Sequence, residues 1–155
     1  MTDEARARKR PSLKARAIGF LARREYARAE LRERLLATGA EREEVDALLD
    51  SLAEEGYLSD VRYANALVRQ KSGGYSRRAI AHTLKSKGVA GETAAGALAE
   101  AEPDDYATMV ALWQRRFGTA PANDREKARQ VRFLQSRGFG LSAIFKLLRD
   151  PPAES

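Results

Sequence analysis

Arg28, Arg77 and Lys127 each stand seven residues before a leucine that opens a Leu-x-x-x-Gly segment. The segments are LLATG (Leu35–Gly39), LKSKG (Leu84–Gly88) and LQSRG (Leu134–Gly138). Glycine is the usual residue just past a helix C-terminus, because it takes the left-handed conformation without penalty. The spacing therefore puts all three basic residues, with Arg78, in the first turn of a helix. Positive charge there opposes the helix dipole and costs a few tenths of a kcal/mol each. A helix N-terminus is an anion site, and an added guanidinium strengthens it. The chemistry open to these residues is the binding of phosphate or carboxylate. The competing explanation is pairing with Glu33 or with a neighbouring acidic helix. Lys87 and Arg137 stand at helix C-termini, where the dipole already favours them. Arg24, Lys85 and Arg132 complete the basic candidates.

No other residues offer a reaction centre. The chain has one histidine, His82, and no cysteine, so it lacks a thiolate nucleophile and a Cys- or His-based metal cluster. Gly73-Gly74 reads as a turn, because the Lys-Ser/Thr that follows a phosphate-cradling loop is missing. Ser76 and His82 are six residues apart and face different sides of one helix, and Ser76 reads more simply as an N-cap. Glu43, Glu44, Asp104 and Asp105 are helix-start acids that favour the dipole. The expectation is a binding protein with no catalytic residue, no cofactor and no metal.

The elements that position the basic residues follow from the same count. Six residues past each repeat glycine stand Val45, Ala94 and Ile144; nine past, Leu48, Ala97 and Leu147; ten past, Leu49, Leu98 and Leu148. That pattern is one face of a following helix. An earlier helix is expected in each unit, over Leu13–Arg24, Asp60–Lys71 and Asp105–Phe117. They face inward through Ile18 and Leu21, through Ala64, Leu67 and Val68, and through Met109, Val110 and Trp113. Ser12, Ser59, Ser76 and Asp104 stand where N-caps are wanted, and Gly56 and Pro103 close third helices. The chain is expected to be all-α: three tandem three-helix, helix-turn-helix-like repeats in an elongated, curved array. The units run over 13–58, 59–103 and 104–150, with 1–12 a disordered basic tail and 151–155 a second tail. The third helix of unit two, GETAAGALAEAE, lacks large apolar residues and carries Gly96, so unit two is expected to be the least stable alone.

Composition agrees. The 155 residues are 43% hydrophobic, with one Trp, five Tyr and five Phe, which implies an aliphatic core. Net charge is +6, arranged in blocks. Residues 41–60 hold eight acids and one Arg, whereas residues 61–91 hold seven Lys/Arg and no acid. Such blocks suit a polyanion or a charged protein partner. No apolar run approaches a membrane span, and no secretory segment is visible, so a cytoplasmic protein is expected.

Three stretches carry a resemblance: LARREYARAELRERL (Leu21–Leu35), GYLSDVRYANALVRQKSGGYSRRAIAHTLKSKGV (Gly56–Val89) and RFLQSRGFGLSAIFKLL (Arg132–Leu148). Over residues 13–150 and in this order, the chain resembles the RecX family, bacterial regulators of the RecA recombinase. The resemblance implies three tandem three-helix repeats. It also implies a protein that binds the RecA–DNA filament, lies along its groove and inhibits ATP hydrolysis, strand exchange and coprotease activity, and so acts in DNA repair and the SOS response. The implied partner is the RecA filament on single-stranded DNA, and some members contact DNA directly. No membrane partner is implied, and a monomer is expected. Ala27 stands where the family usually has Ser or a similar cap, and Val61 where it usually has an acid. From the residues alone two rivals stay open. One is an independent helix-turn-helix-like DNA-binding protein, although Asn65, Gln70, Gln130 and Gln135 are too scattered to read bases together. The other is a helical scaffold for an unrelated protein.

Overall fold

The structure, a computed structural model, describes residues 11–101 and 104–152. Among them are nine α-helices and no strand. Unit one holds α1 (Leu13–Arg23), α2 (Arg28–Leu36) and α3 (Arg42–Glu54). Unit two holds α4 (Asp60–Lys71), α5 (Arg77–Ser86) and α6 (Gly91–Ala101). Unit three holds α7 (Asp105–Arg116), α8 (Asp124–Ser136) and α9 (Leu141–Arg149).

The expected caps form. Ser12, Ser59, Ser76 and Asp104 accept from the backbone N–H of Ala15, Arg62, Ala79 and Ala107. Gly39, Gly88 and Gly138 follow the middle helices at φ +90, +81 and +93. Gly56 follows α3 at φ +83, and Pro103 lies outside the described residues. One start differs from the repeat register. Asn123 accepts from Glu126 N–H at 2.9 Å, so α8 begins at Asp124 and Lys127 is its fourth residue, not a first-turn residue. Asn123 supplies an N-cap early, and Asp124 and Glu126 favour the dipole behind it.

Each unit has its own apolar cluster. Unit one buries Ala17, Leu31, Leu35, Val45, Leu49 and Leu52; Ile18 and Leu21 pack half-buried against them. Unit three buries Met109, Trp113, Leu134, Ile144 and Leu147. Its one buried aromatic polar group is satisfied: Trp113 Nε1 donates to Gln130 Oε1 at 2.9 Å, and Gln130 Nε2 donates to the Thr119 carbonyl at 3.1 Å. Gln130 is thus a buried structural residue, not a base reader. Unit two buries Ala64, Val68, Ile80, Leu84, Ala94, Ala97 and Leu98. The small residues of α6 let it approach α4 closely, and this is the most extensive helix pairing among the described residues.

Burial between units is concentrated at two narrow seams of the same design. The residue that precedes each middle helix, Ala27 or Ser76, is buried against the next unit. Ala27 belongs to the apolar cluster of unit two, and Ser76 N–H donates to the Arg137 carbonyl at 2.8 Å. The repeat glycine of the following unit receives it. A Cβ on Gly88 would meet the Ala29 Cβ at 2.6 Å, and one on Gly138 would meet Ser76 Oγ and the Ala79 Cβ. Nothing lies within 4 Å of a Cβ on Gly39, which has no unit before it. The three glycines share a conformation, but only two carry a seam. No hydrogen bond, ion pair or buried cluster among the described residues joins unit one to unit three, so the units lie in series.

Candidate polyanion-binding surface

The first turns of α2 and α5 are already occupied by anions from the chain itself. Arg28 N–H donates to Asp60 Oδ1 at 2.8 Å, and Arg77 N–H donates to Asp105 Oδ1 at 2.8 Å. Each carboxylate comes from the first turn of the next unit. These acids offset the cost of placing Arg28 and Arg77 against the dipole. They also satisfy a donor that Ala27 cannot, because alanine has no side-chain acceptor. At Ala27 only the returning half of a capping box is made: its N–H donates to Glu30 Oε1 at 3.4 Å. At these two helix ends the backbone donors are therefore filled by acids of the chain itself. The backbone donors serve the seams, and any external anion must be held by side chains.

Six ion pairs form among the described residues, and every carboxylate in them belongs to unit one. Within that unit Arg28 pairs with Asp50 at 2.6 Å, Arg32 with Asp46 at 2.8 Å and Lys14 with Glu55 at 3.4 Å. Arg32 holds the Asp46 carboxyl below its ordinary range through a hydrogen bond and its charge. Acids of α3 and just after it thus pair with Lys14, Arg28 and Arg32 of the basic block before it.

At the first seam the candidate cations Arg24 and Lys87 converge on Glu30. Arg24 donates to both Glu30 oxygens at 3.1 and 2.9 Å and lies over the Tyr26 ring at 3.6 Å; Lys87 is 3.5 Å from Glu30. Burial, the largest influence on Glu30, pushes its carboxyl up. Arg24, Lys87 and the Ala27 N–H together outweigh it and hold the group below its ordinary value. Arg62 closes the seam by pairing with Glu25 at 2.9 Å and donating to the Gly56 carbonyl at 2.7 Å.

The remaining candidates fall in units two and three. Arg77, Arg78, Lys85 and Arg132 are exposed and make no ion pair among the described residues. Arg78, His82 and Lys85 share one exposed face of α5, and Arg125, Arg129 and Arg132 share one of α8. Lys127 lies over the Phe145 ring at 5.5 Å. Arg137 donates to the Gly74 carbonyl at 3.1 Å and lies over both Tyr75 and Phe133. Sequence reasoning missed its companions Lys71, Arg115, Arg116 and Arg129. The signal was the alternation of basic and aromatic residues in Arg115-Arg116-Phe117 and Arg132-Phe133.

Comparison with known proteins identifies the architecture. The first, second and third three-helix domains of RecX match residues 14–52, 59–98 and 103–148. The chain belongs to the RecX family. The Regulatory protein RecX of Ralstonia pickettii is 40% identical over 137 residues, covering 88% of this chain and 86% of that protein. That of Pseudomonas putida is 41% identical over 139 residues, covering 88% and 89%. The crystal structure of RecX from Lactobacillus salivarius superposes with a TM-score of 0.67 at 18% identity, covering 89% of this chain and 93% of that one, and so shares the fold. The RecX units are the three helix triplets described above. No described helix is long and apolar enough to cross a membrane.

Proposed function

We propose that this RecX protein is a non-enzymatic regulator of the RecA recombinase. It binds the RecA–DNA filament and suppresses ATP hydrolysis, strand exchange and coprotease activity, and so regulates DNA repair and the SOS response. The observation that carries this reading is the match of all three RecX three-helix domains along one chain. Units in series suit it physically: each binds weakly, and tethering lets several act together on a repeating filament. Exposed Arg77, Arg78, Lys85 and Arg132 are its external contacts. Arg24, Arg28 and Lys87 are held by acids of the chain and serve the fold first.

The test is RecA's ATP hydrolysis on single-stranded DNA, titrated with this protein while DNA is in excess. Inhibition well below one molecule per RecA protomer is expected. A folded protein that leaves hydrolysis unchanged at equal ratio overturns the reading. A folded Arg77→Glu/Arg78→Glu variant that inhibits as well as the parent would remove those two residues from the contact. Direct DNA binding is the second reading. The absence of ion-paired acids from units two and three among the described residues favours it, and steeply salt-dependent binding to naked DNA would distinguish it.

A further inference from the structure

The second seam carries a basic and aromatic cluster that the repeat does not require. Lys71 Nζ lies 4.7 Å from the Tyr75 ring centre, and the Arg137 guanidinium lies 4.7 Å from it. Arg137 is also 5.0 Å from the Phe133 ring centre, and Arg116 is 4.8 Å from the same ring. Phe133 meets Phe117 edge-on at 5.5 Å, with Arg129 at 6.0 Å from Phe117. Arg115 donates to the Gly73 carbonyl at 3.0 Å. Five cations thus surround three aromatic rings, and none of them makes an ion pair among the described residues.

The first seam shows what a purely structural arrangement looks like. There Glu25 and Glu30 pair with Arg62, Arg24 and Lys87. In the repeat register Gly74 replaces Glu25, and Ala79 replaces Glu30. The second seam loses both acids, and of the first seam's cations it keeps only Lys87, as Arg137, because Gly73 stands for Arg24 and Ala107 for Arg62; Lys71, Arg115, Arg116 and Arg129 supply the others. Like charges gathered without an ion-paired acid repel one another, and an external polyanion removes that cost. Interleaved rings and guanidinium planes suit a ligand with flat, stackable faces as well as charge. A nucleotide strand has both; an acidic peptide has only the charge.

We propose that the seam between units two and three is a single-strand binding site. Phosphates are held by Arg115, Arg116, Arg129 and Arg137, and unstacked bases lie against the half-buried rings and the guanidinium planes. This deepens the proposed function by assigning the strand contact to one surface, and its test uses no RecA, so either reading can fail alone.

The test is fluorescence anisotropy of labelled oligo(dT) with the full chain across a salt series. Arg116→Glu/Arg129→Glu should weaken binding at least tenfold. Arg116→Gln/Arg129→Gln, which leaves packing nearer the parent, should lower the slope of log affinity on log salt by about 1.4, at about 0.7 per lost phosphate contact. Arg34→Glu/Arg42→Glu in unit one, with the same charge change, should alter affinity less than threefold. Three results overturn the proposal: no binding of oligo(dT) by the parent protein, equal loss in the unit-one control, or displacement by polyglutamate as effective as by unlabelled oligo(dT).

Discussion

The two seams have one geometry and opposite electrostatics. At both, a first-turn aspartate of the next unit caps the preceding middle helix, and a left-handed glycine makes room for that helix's entry. Around this shared backbone joint, the first seam is closed by Glu25 and Glu30, and the cations around the second make no ion pair among the described residues. Backbone hydrogen bonds and close packing hold the units in register. Side-chain charge is then free to differ, so one seam is internally neutralised and the other is left able to take a ligand.

The largest effects should come from the joint itself. Gly138→Ala combines a left-handed backbone with a clash against Ser76 and Ala79, and Gly88→Ala does the same against Ala29. Each should cost about 2–5 kcal/mol, from about 1–2 for the backbone and about 1–3 for overpacking. Gly39→Ala meets open space and should cost only about 1–2 kcal/mol. Denaturant unfolding of the three variants measures the difference; equal losses would mean that the seams do not need the glycine.

Asp60→Ala and Asp105→Ala should each cost about 0.5–2 kcal/mol, as loss of an N-cap does. Asp60→Ala should be the worse, because Ala27 offers no acceptor of its own, whereas Ser76 still caps α5. Equal losses in thermal unfolding would break the parallel between the two caps.

Acid should separate the seams next. The Glu30 carboxyl is held below its ordinary value of 4.5, so the folded state favours the charged form. Its contribution is complete above that ordinary value and is lost as pH falls through the lower folded one. Amide exchange around Ala27 and Lys87 should therefore quicken below about pH 4.5 in the parent protein. In a Glu30→Gln variant that step should vanish, and its persistence would place the acid response elsewhere.

The smallest effect is a gain. Gly96 lies inside α6, and a Cβ there meets nothing within 4 Å. Gly96→Ala should stabilise the chain by about 0.5–1 kcal/mol, with neither seam altered. A loss of stability would show that α6 needs the glycine for its close approach to α4.

The local structure was legible because it depends on near neighbours. A serine or aspartate before an apolar-periodic run caps the helix that follows, and a glycine after Leu-x-x-x ends one, whatever the rest of the chain does. Asn123 escaped notice because the repeat register pointed three residues later, and a local cap overrode it. The basic candidates were harder. Arg28 and Arg77 occupy equivalent positions in sequence, but the Arg28 guanidinium pairs with Asp50 and that of Arg77 makes no ion pair among the described residues. The ladder of Lys71, Tyr75, Arg137, Phe133 and Arg116 draws on three separate segments, so no window of sequence contains it.

Helix identity, helix ends and the threefold repeat were thus set by the sequence alone, through caps, glycine conformation and apolar period, all of which act within a turn or two of the chain. Which glycines carry a seam, which acid fills a helix end and which cations keep their charge unpaired were decided by the tertiary structure. Those properties depend on distances between residues about thirty to sixty positions apart, and only the docking of one unit on the next fixes such distances.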